Sequence, residues 1–204
     1  MIQGSPEWFA ERLGKVTASC ISDILAKGRN GNESAARANY RAQLVAERLS
    51  GKVAESFSNS AMQWGTETEP FARMAYEATT GNLVRECGFV SHPTIKEAGA
   101  SPDGLIDDDG LLEIKCPNTA THIDYFLSGG IPEKYKPQMG WQCVCTGRTW
   151  CDFVSFDPRL PEKFQLHIAR FEPEKEYLEL LENEVKKFLA EVEEVITQLQ
   201  RKAA

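Results

Sequence analysis

The chain has 204 residues, 42% of them hydrophobic and 26% charged, the proportions of a globular protein able to bury one real core. No apolar run approaches the ~18–20 residues of a membrane-spanning helix, and the opening Met1-Ile2-Gln3-Gly4-Ser5-Pro6-Glu7 lacks the basic end and apolar stretch of a secretory signal, so a cytoplasmic protein is expected. A net charge of −7 argues against a sequence-blind coater of nucleic acid, which carries a broad basic face. It leaves room for an enzyme whose clustered carboxylates bind a divalent cation and whose contact with DNA is local and salt-sensitive.

Along the chain, Trp8, Phe9 and Leu13 recur at near-helical spacing until Gly14 interrupts them. Thr17-Ala18-Ser19 then precedes Ile21, Ile24 and Leu25, which predicts a second helix capped by Thr17 or Ser19. Residues 27–36 read as a polar loop, and 40–49 as a helix ending near Gly51. Residues 59–80 read as a further helix entered through Trp64-Gly65-Thr66, with Pro70 in the first turn, where proline is tolerated. From Leu83 onward the pattern changes to β-prone pieces at 88–91, 104–107 and 111–116, with Asp109-Gly110 as a hairpin signal. Residues 123–127 suggest a short helix, 135–146 are ambiguous by periodicity, and 149–156 and 167–171 read as strands. The apolar stripe of Leu178, Leu181, Val185, Val192 and Leu199 predicts a long amphipathic helix over 172–200. The order of elements predicts one α/β domain, a central mixed sheet flanked by helices.

The six cysteines contain no Cys-x-x-Cys pair, which favours reduced, mostly buried thiols over a disulfide framework or an iron–sulfur cluster. His92, His122 and His167 are too far apart to match a zinc spacing.

The chemistry-bearing stretch runs from Ser101-Pro102-Asp103-Gly104-Leu105 to Leu112-Glu113-Ile114-Lys115-Cys116-Pro117. In a strand over 111–116, alternation sends Leu112, Ile114 and Cys116 to the core and Glu113 with Lys115 to the opposite face. The hairpin lays the preceding strand alongside and brings Asp103 towards Glu113. Two carboxylates and an ammonium then converge, which suits phosphodiester hydrolysis. Carboxylate oxygens hold one or two hard cations, most naturally Mg²⁺ with Mn²⁺ as a substitute, and the backbone carbonyl of Ile114 is a further candidate ligand. The cation acidifies a water and neutralises phosphate charge, while the lysine positions or deprotonates that water. A bare Glu-x-Lys is an ordinary surface pair; Pro102-Asp103, the hairpin and the apolar alternation favour the catalytic reading. Asp107, Asp108 and Asp109 read as a solvated turn.

Pro102-Asp103 with Glu113-Ile114-Lys115 resembles the PD-(D/E)xK nuclease signature. The wider chain resembles the lambda-type exonucleases of phage recombination, also called YqaJ-like viral recombinases or alkaline exonucleases. The likeness includes Arg12-Leu13-Gly14-Lys15-Val16-Thr17-Ala18-Ser19, Trp64-Gly65-Thr66-Glu67-Thr68-Glu69 and Tyr135-Lys136-Pro137-Gln138, in the family's order. The resemblance implies a restriction-endonuclease-like core with a long C-terminal helix. It implies Mg²⁺ on Asp103, Glu113 and the Ile114 carbonyl, with Lys115 activating water. Glu69, otherwise read as an acid at a helix start, would join the metal shell, and Gln138 would orient water or phosphate. Arg12 and Ser19, otherwise a surface ion pair and an N-cap, match the positions that grip a terminal 5′-phosphate. Met62 falls where the family places an apolar wedge that parts the duplex end; a core methionine is the other reading. By the same resemblance the enzyme would be a ring-shaped homotrimer acting on linear double-stranded DNA. It would degrade one strand 5′ to 3′ from a phosphorylated end and partner a single-strand annealing protein. Arg29, Arg41, Arg73, Lys134 and Lys136 are candidates for a positive channel lining. The competing expectation is a restriction-like or structure-selective endonuclease on the same core.

Overall fold

In the computed structural model, which describes residues 2–29, 32–53 and 60–203, the N-terminal helix starts where local chemistry favours it. Ser5 accepts the Trp8 N–H, and Pro6 takes the first position, where its missing N–H costs nothing, so α1 spans Pro6–Arg12. After Gly14 (φ +67°) comes the short strand β1, Val16–Thr17, then a tight helical turn, Ala18–Cys20, and α2, Ile21–Leu25. The expected cap is absent: neither Thr17 nor Ser19 caps these helices, and the two hydroxyls lie 3.4 Å apart in contact with each other. Thr17 holds the N-cap position of the tight turn, but its hydroxyl is engaged with Ser19, which lies within that turn, so the chain enters α2 through Cys20.

Helix α3, Ala35–Ser50, is capped by the Ser34 side chain and closed by a left-handed Gly51, as its periodicity predicted. The polar loop expected over 27–36 is pinned by a bridge between Lys27 and Glu33; residues 30–31 within it, and the expected helix start at Asn59, lie outside the described residues. Helix α4 is Ser60–Thr80 and contains Pro70 in its interior rather than in its first turn. Pro70 and Thr66 both face solvent, so the carbonyl that loses a helical partner at Pro70 is open to water. The turns before Pro70 carry Met62 and place Glu69 mid-helix.

The remaining elements form two sheets. The strands are β2 Val84–Arg85, β3 Val90–Ser91, β4 Ala98–Ala100, β5 Gly104–Ile106, β6 Gly110–Lys115, β7 Trp150–Phe156 and β8 Leu166–Phe171. The larger sheet has the order β2-β5-β6-β7-β8, mixed because β6 and β7 are parallel while its other pairs are antiparallel. The smaller sheet, β1-β4-β3, was not expected from the sequence. Helix α5, Thr119–Ser128, follows β6, and α6, Lys136–Thr146, resolves the ambiguous segment as a helix. The long closing helix is α7, Lys175–Ala203. No helix among the described residues is long and apolar enough to cross a membrane.

Both faces of the large sheet are covered. Leu112 and Ile114 pack with Ala72 and Tyr76 of α4 on one side, while Leu111 and Phe153 pack with Tyr125 of α5 and Met139 and Cys143 of α6 on the other. A third cluster joins α2, α3, α6 and α7 to the small sheet through Ile21, Leu44, Trp141, Phe188 and Val16. The six cysteines are free thiols, three of them buried.

The β5–β6 hairpin turns through Asp107-Asp108-Asp109, with Asp107 at φ +44°, rather than on Asp109-Gly110. Gly110 is already strand, paired with Ile106, and lies flat against the Trp150 ring; a Cβ there would sit 2.1 Å from Trp150 Cζ2. That ring is held on its other side by the Arg170 guanidinium, 3.6 Å from its centroid. Gly110→Ala is therefore expected to lower stability by about 1–3 kcal/mol through overpacking, read as a lower urea midpoint with unchanged slope.

Candidate active site

Strand β6 delivers the chemistry because its two ends differ. Its first residues pair with β5, but β5 begins at Gly104, and Pro102 has turned its carbonyl away to accept from Gln3 Nε2 at 2.8 Å. Where a longer strand would have continued the ladder, the Asp103 side chain takes over, with Oδ2 accepting the Ile114 N–H at 2.7 Å while the Asp103 N–H bonds Leu112 O at 3.1 Å. A strand residue turns its N–H and C=O to the same edge, so the Ile114 carbonyl lies on the edge that Asp103 occupies. Asp103, the Ile114 carbonyl and the end of β6 thus meet by backbone geometry.

Glu113 points to the opposite face, where the sequence left open whether it met solvent or a site. It is fully buried, beneath α6. Its Oε1 accepts from Lys115 Nζ and from Gln138 Nε2 at 2.6 Å, and its Oε2 from Gln142 Nε2 at 2.5 Å. Lys115 also lies 5.2 Å from the centre of the Tyr135 ring. At the N-terminal side, Arg12 stacks over Trp8 at 4.0 Å, and the Ser101 hydroxyl accepts from both Trp8 Nε1 at 2.9 Å and Arg12 Nη1 at 3.3 Å. One cleft of about 450 Å³ is lined by Arg12, Ser19, Met62, Glu69, Asp103, Glu113, Ile114, Lys115 and Gln138, the whole set expected from the sequence.

Residues 7–149 match the YqaJ-like viral recombinase domain. The chain belongs to that family. The alkaline exonuclease of Laribacter hongkongensis is 50% identical, with a TM-score of 0.91 over 98% of both chains. The same figures hold for that protein solved in complex with dAMP. A phage-related exonuclease from Haemophilus somnus 129PT, 14% identical with a TM-score of 0.69 over 93% of this chain and 96% of its own, shares the fold. No curated protein matches.

The YqaJ-like cleft is not uniformly as the motifs suggested. Glu69 is the tenth residue of α4 rather than an acid at a helix start, and its carboxylate is drawn to Arg73 at 2.9 Å instead of joining the other acids directly. Burial nevertheless raises its pKa, against the pull of Arg73, and Glu113 adds to the rise, so it shares the field of the site. Met62 is 53% exposed, which removes the reading as a core methionine. Of the basic residues proposed for a channel lining, Arg41 is bound to Glu33 and Glu191, Arg73 to Glu69 and Glu86, and Lys136 to Glu133. Lys134 sits over the Tyr135 and Tyr125 rings at 4.8 and 5.7 Å, and Arg29 is exposed. Gln142, Trp8, Ser101 and Tyr135 are site residues for which the sequence offered no role. Gln142 carries only the signal of lying one helical turn beyond Gln138.

The electrostatics fit a hard divalent cation. Every candidate donor is an oxygen, as such a cation requires, although among the described residues no three His, Cys, Asp or Glu side chains gather around one point. Burial and the neighbouring Glu113 push the Asp103 carboxyl well above its usual range, against the pull of Lys115. Burial lowers the Lys115 pKa, but Glu113 and Asp103 outweigh it and leave the ammonium above its ordinary value. The Asp103 carboxyl is therefore under-compensated and the lysine stays charged, a state that an added cation relieves.

Folding raises the Asp103 pKa, so its favourable contribution to stability is present below the ordinary carboxyl value of 3.8 and is lost as pH rises through the raised one. In chelator-treated protein, Asp103→Asn, whose amide oxygen can still accept the Ile114 N–H, is expected to gain on the parent in thermal midpoint as pH goes from about 4 to 7. A constant difference across that range would contradict the electrostatic account.

Proposed function

We propose that this nuclease is a metal-dependent exodeoxyribonuclease that degrades one strand of linear duplex DNA 5′ to 3′ from a phosphorylated end. The observation that carries the reading is that one cleft is lined both by an Asp103–Glu113–Lys115 centre and by the Arg12 cation with the Ser19 hydroxyl. A hydrolytic centre alone suits any nuclease. A desolvated guanidinium in the same cleft, stacked on the Trp8 ring, donating to the Ser101 hydroxyl and within the field of Glu47, suits one that grips a terminal phosphate. The dAMP complex of the Laribacter relative supports a site that accepts a single deoxynucleotide.

Asp103, Glu113 and the Ile114 carbonyl would hold Mg²⁺, one ion or two, with Glu69 as a further oxygen and Mn²⁺ as a substitute. When bound, the metal supplies an acidified water and neutralises charge on the scissile phosphate. The chain's own residues do the rest. Lys115, charged in the resting site, donates to the phosphate or to the attacking water. With Glu113 and Asp103 engaged by a ligand, the two largest influences that raise the lysine pKa would be weakened while burial, which lowers it, stays, and Lys115 could then accept the water proton. Gln138, within hydrogen-bond reach of Glu113, directs its amide along the same wall and orients water or phosphate. Exposed Met62, on the cleft rim contributed by α4, is placed to part the terminal base pair. Family membership further supports a ring-shaped homotrimer that hands its single strand to an annealing protein.

The test is Mg²⁺-dependent digestion of linear duplex carrying 5′-phosphate or 5′-hydroxyl ends, beside a covalently closed circle. Linear DNA should be degraded and the circle left intact; cutting of the circle would favour an endonuclease. Lys115→Ala should slow digestion by about 10²–10⁴-fold. Arg12→Ala should abolish the preference for the phosphorylated end while leaving the slower reaction on 5′-hydroxyl ends, and an unchanged preference would remove the phosphate-grip assignment.

A further inference from the structure

Gln142 is fully buried and spends its amide on Glu113, another fully buried group, at 2.5 Å. A carboxylate only accepts, so the amide must present its NH₂ to Glu113, and its Oε1 is left facing Cys151 Sγ at 3.8 Å. Gln138 and Gln142 lie four residues apart on α6 and address the two different oxygens of Glu113. The helix cannot easily turn away: at Gly140, on its other face, an added Cβ would lie 2.8 Å from Leu181 Cδ1 of α7, and Trp141 Nε1 donates to Gly99 O at 3.2 Å.

We infer that Gln142 is a positioning residue for the reaction: by holding Glu113 Oε2 from behind, it commits Oε1 to the cleft, and because it is neutral it does so without cancelling the charge a divalent cation needs. A cation at this position would join Lys115 in neutralising Glu113 and leave the site with little attraction for metal. An apolar residue would leave a buried carboxylate oxygen without a donor and its plane free to rotate. The inference rests on the reading of Asp103 and Glu113 as the ligands of a hard cation.

The experiment compares the parent with Gln142→Met, which keeps length and loses the donors. The readouts are the Mg²⁺ concentration for half-maximal digestion of linear duplex and, without DNA, the Mg²⁺ concentration for half-maximal rise in thermal midpoint. Both are expected to increase about 10–100-fold, with kcat at saturating Mg²⁺ recovered far more than activity at low Mg²⁺. A lower thermal midpoint in chelator with unchanged Mg²⁺ dependence would reduce Gln142 to a packing residue and overturn the proposal. Gln142→Leu and Gln142→Asn are tested in parallel, and each folded variant must show the shift; failure of all three to fold also counts against a positioning role. Asp103→Asn separates the two levels. If it keeps the Mg²⁺-induced stabilisation, the metal reading itself fails; if it loses it while the Gln142 variants behave as the parent, only this inference fails.

Discussion

The structure depends on keeping one carboxylate, Glu113, out of water in the middle of a sheet. A buried carboxylate is costly unless hydrogen bonds and charge replace its hydration, and here Lys115, Gln138 and Gln142 do so from two elements. That requirement fixes where α6 must lie: across the face of β6, with both glutamines turned inward and Gly140 against α7. Trp141 and Cys145 of the same helix belong to the helical cluster, whereas Met139 and Cys143 belong to the cluster against the sheet, so α6 ties the two together.

The compensation is incomplete. Asp103 on the neighbouring edge meets burial and the Glu113 charge, and a single ammonium, in contact with Glu113, offsets both acids. Glu69, on the third wall, is restrained by Arg73, which also reaches Glu86. Like charges left facing one another in a cleft destabilise the resting protein and are the usual mark of a site that awaits a ligand. Stability and activity pull against each other at Asp103: the same carboxylate that penalises the metal-free fold is the one a cation would use.

Much of the architecture was legible because periodicity survives in elements with one wet face. The stripe of α7 and the run of α3 showed as amphipathic helices, and β7 showed as a strand through its density of aromatic and β-branched residues. Helix α6 did not, since residues facing the sheet and residues facing α7 are both apolar or buried, which blurs any period of 3.6. Strand β4, Ala98-Gly99-Ala100, carries no β-propensity and exists because β1 and β3 pair with it from distant parts of the chain. Pro70 misled about position only: read as a first-turn residue, it lies inside α4, where a solvent-facing carbonyl tolerates the missing donor.

For the site, the sequence by itself determined the candidate trio, Asp103, Glu113 and Lys115, and its order. Alternation along β6 decides which face Glu113 and Lys115 share, and Pro102 decides where pairing with β5 must stop, so both follow from local rules. Only the tertiary structure decided what covers that face, because a strand's pattern states which side a residue takes but not which element packs on it. It alone made Gln142, on a segment ambiguous by periodicity, a donor to Glu113, and brought Trp8 and Ser101, 93 positions apart in the chain, to opposite sides of one hydrogen bond beside Arg12.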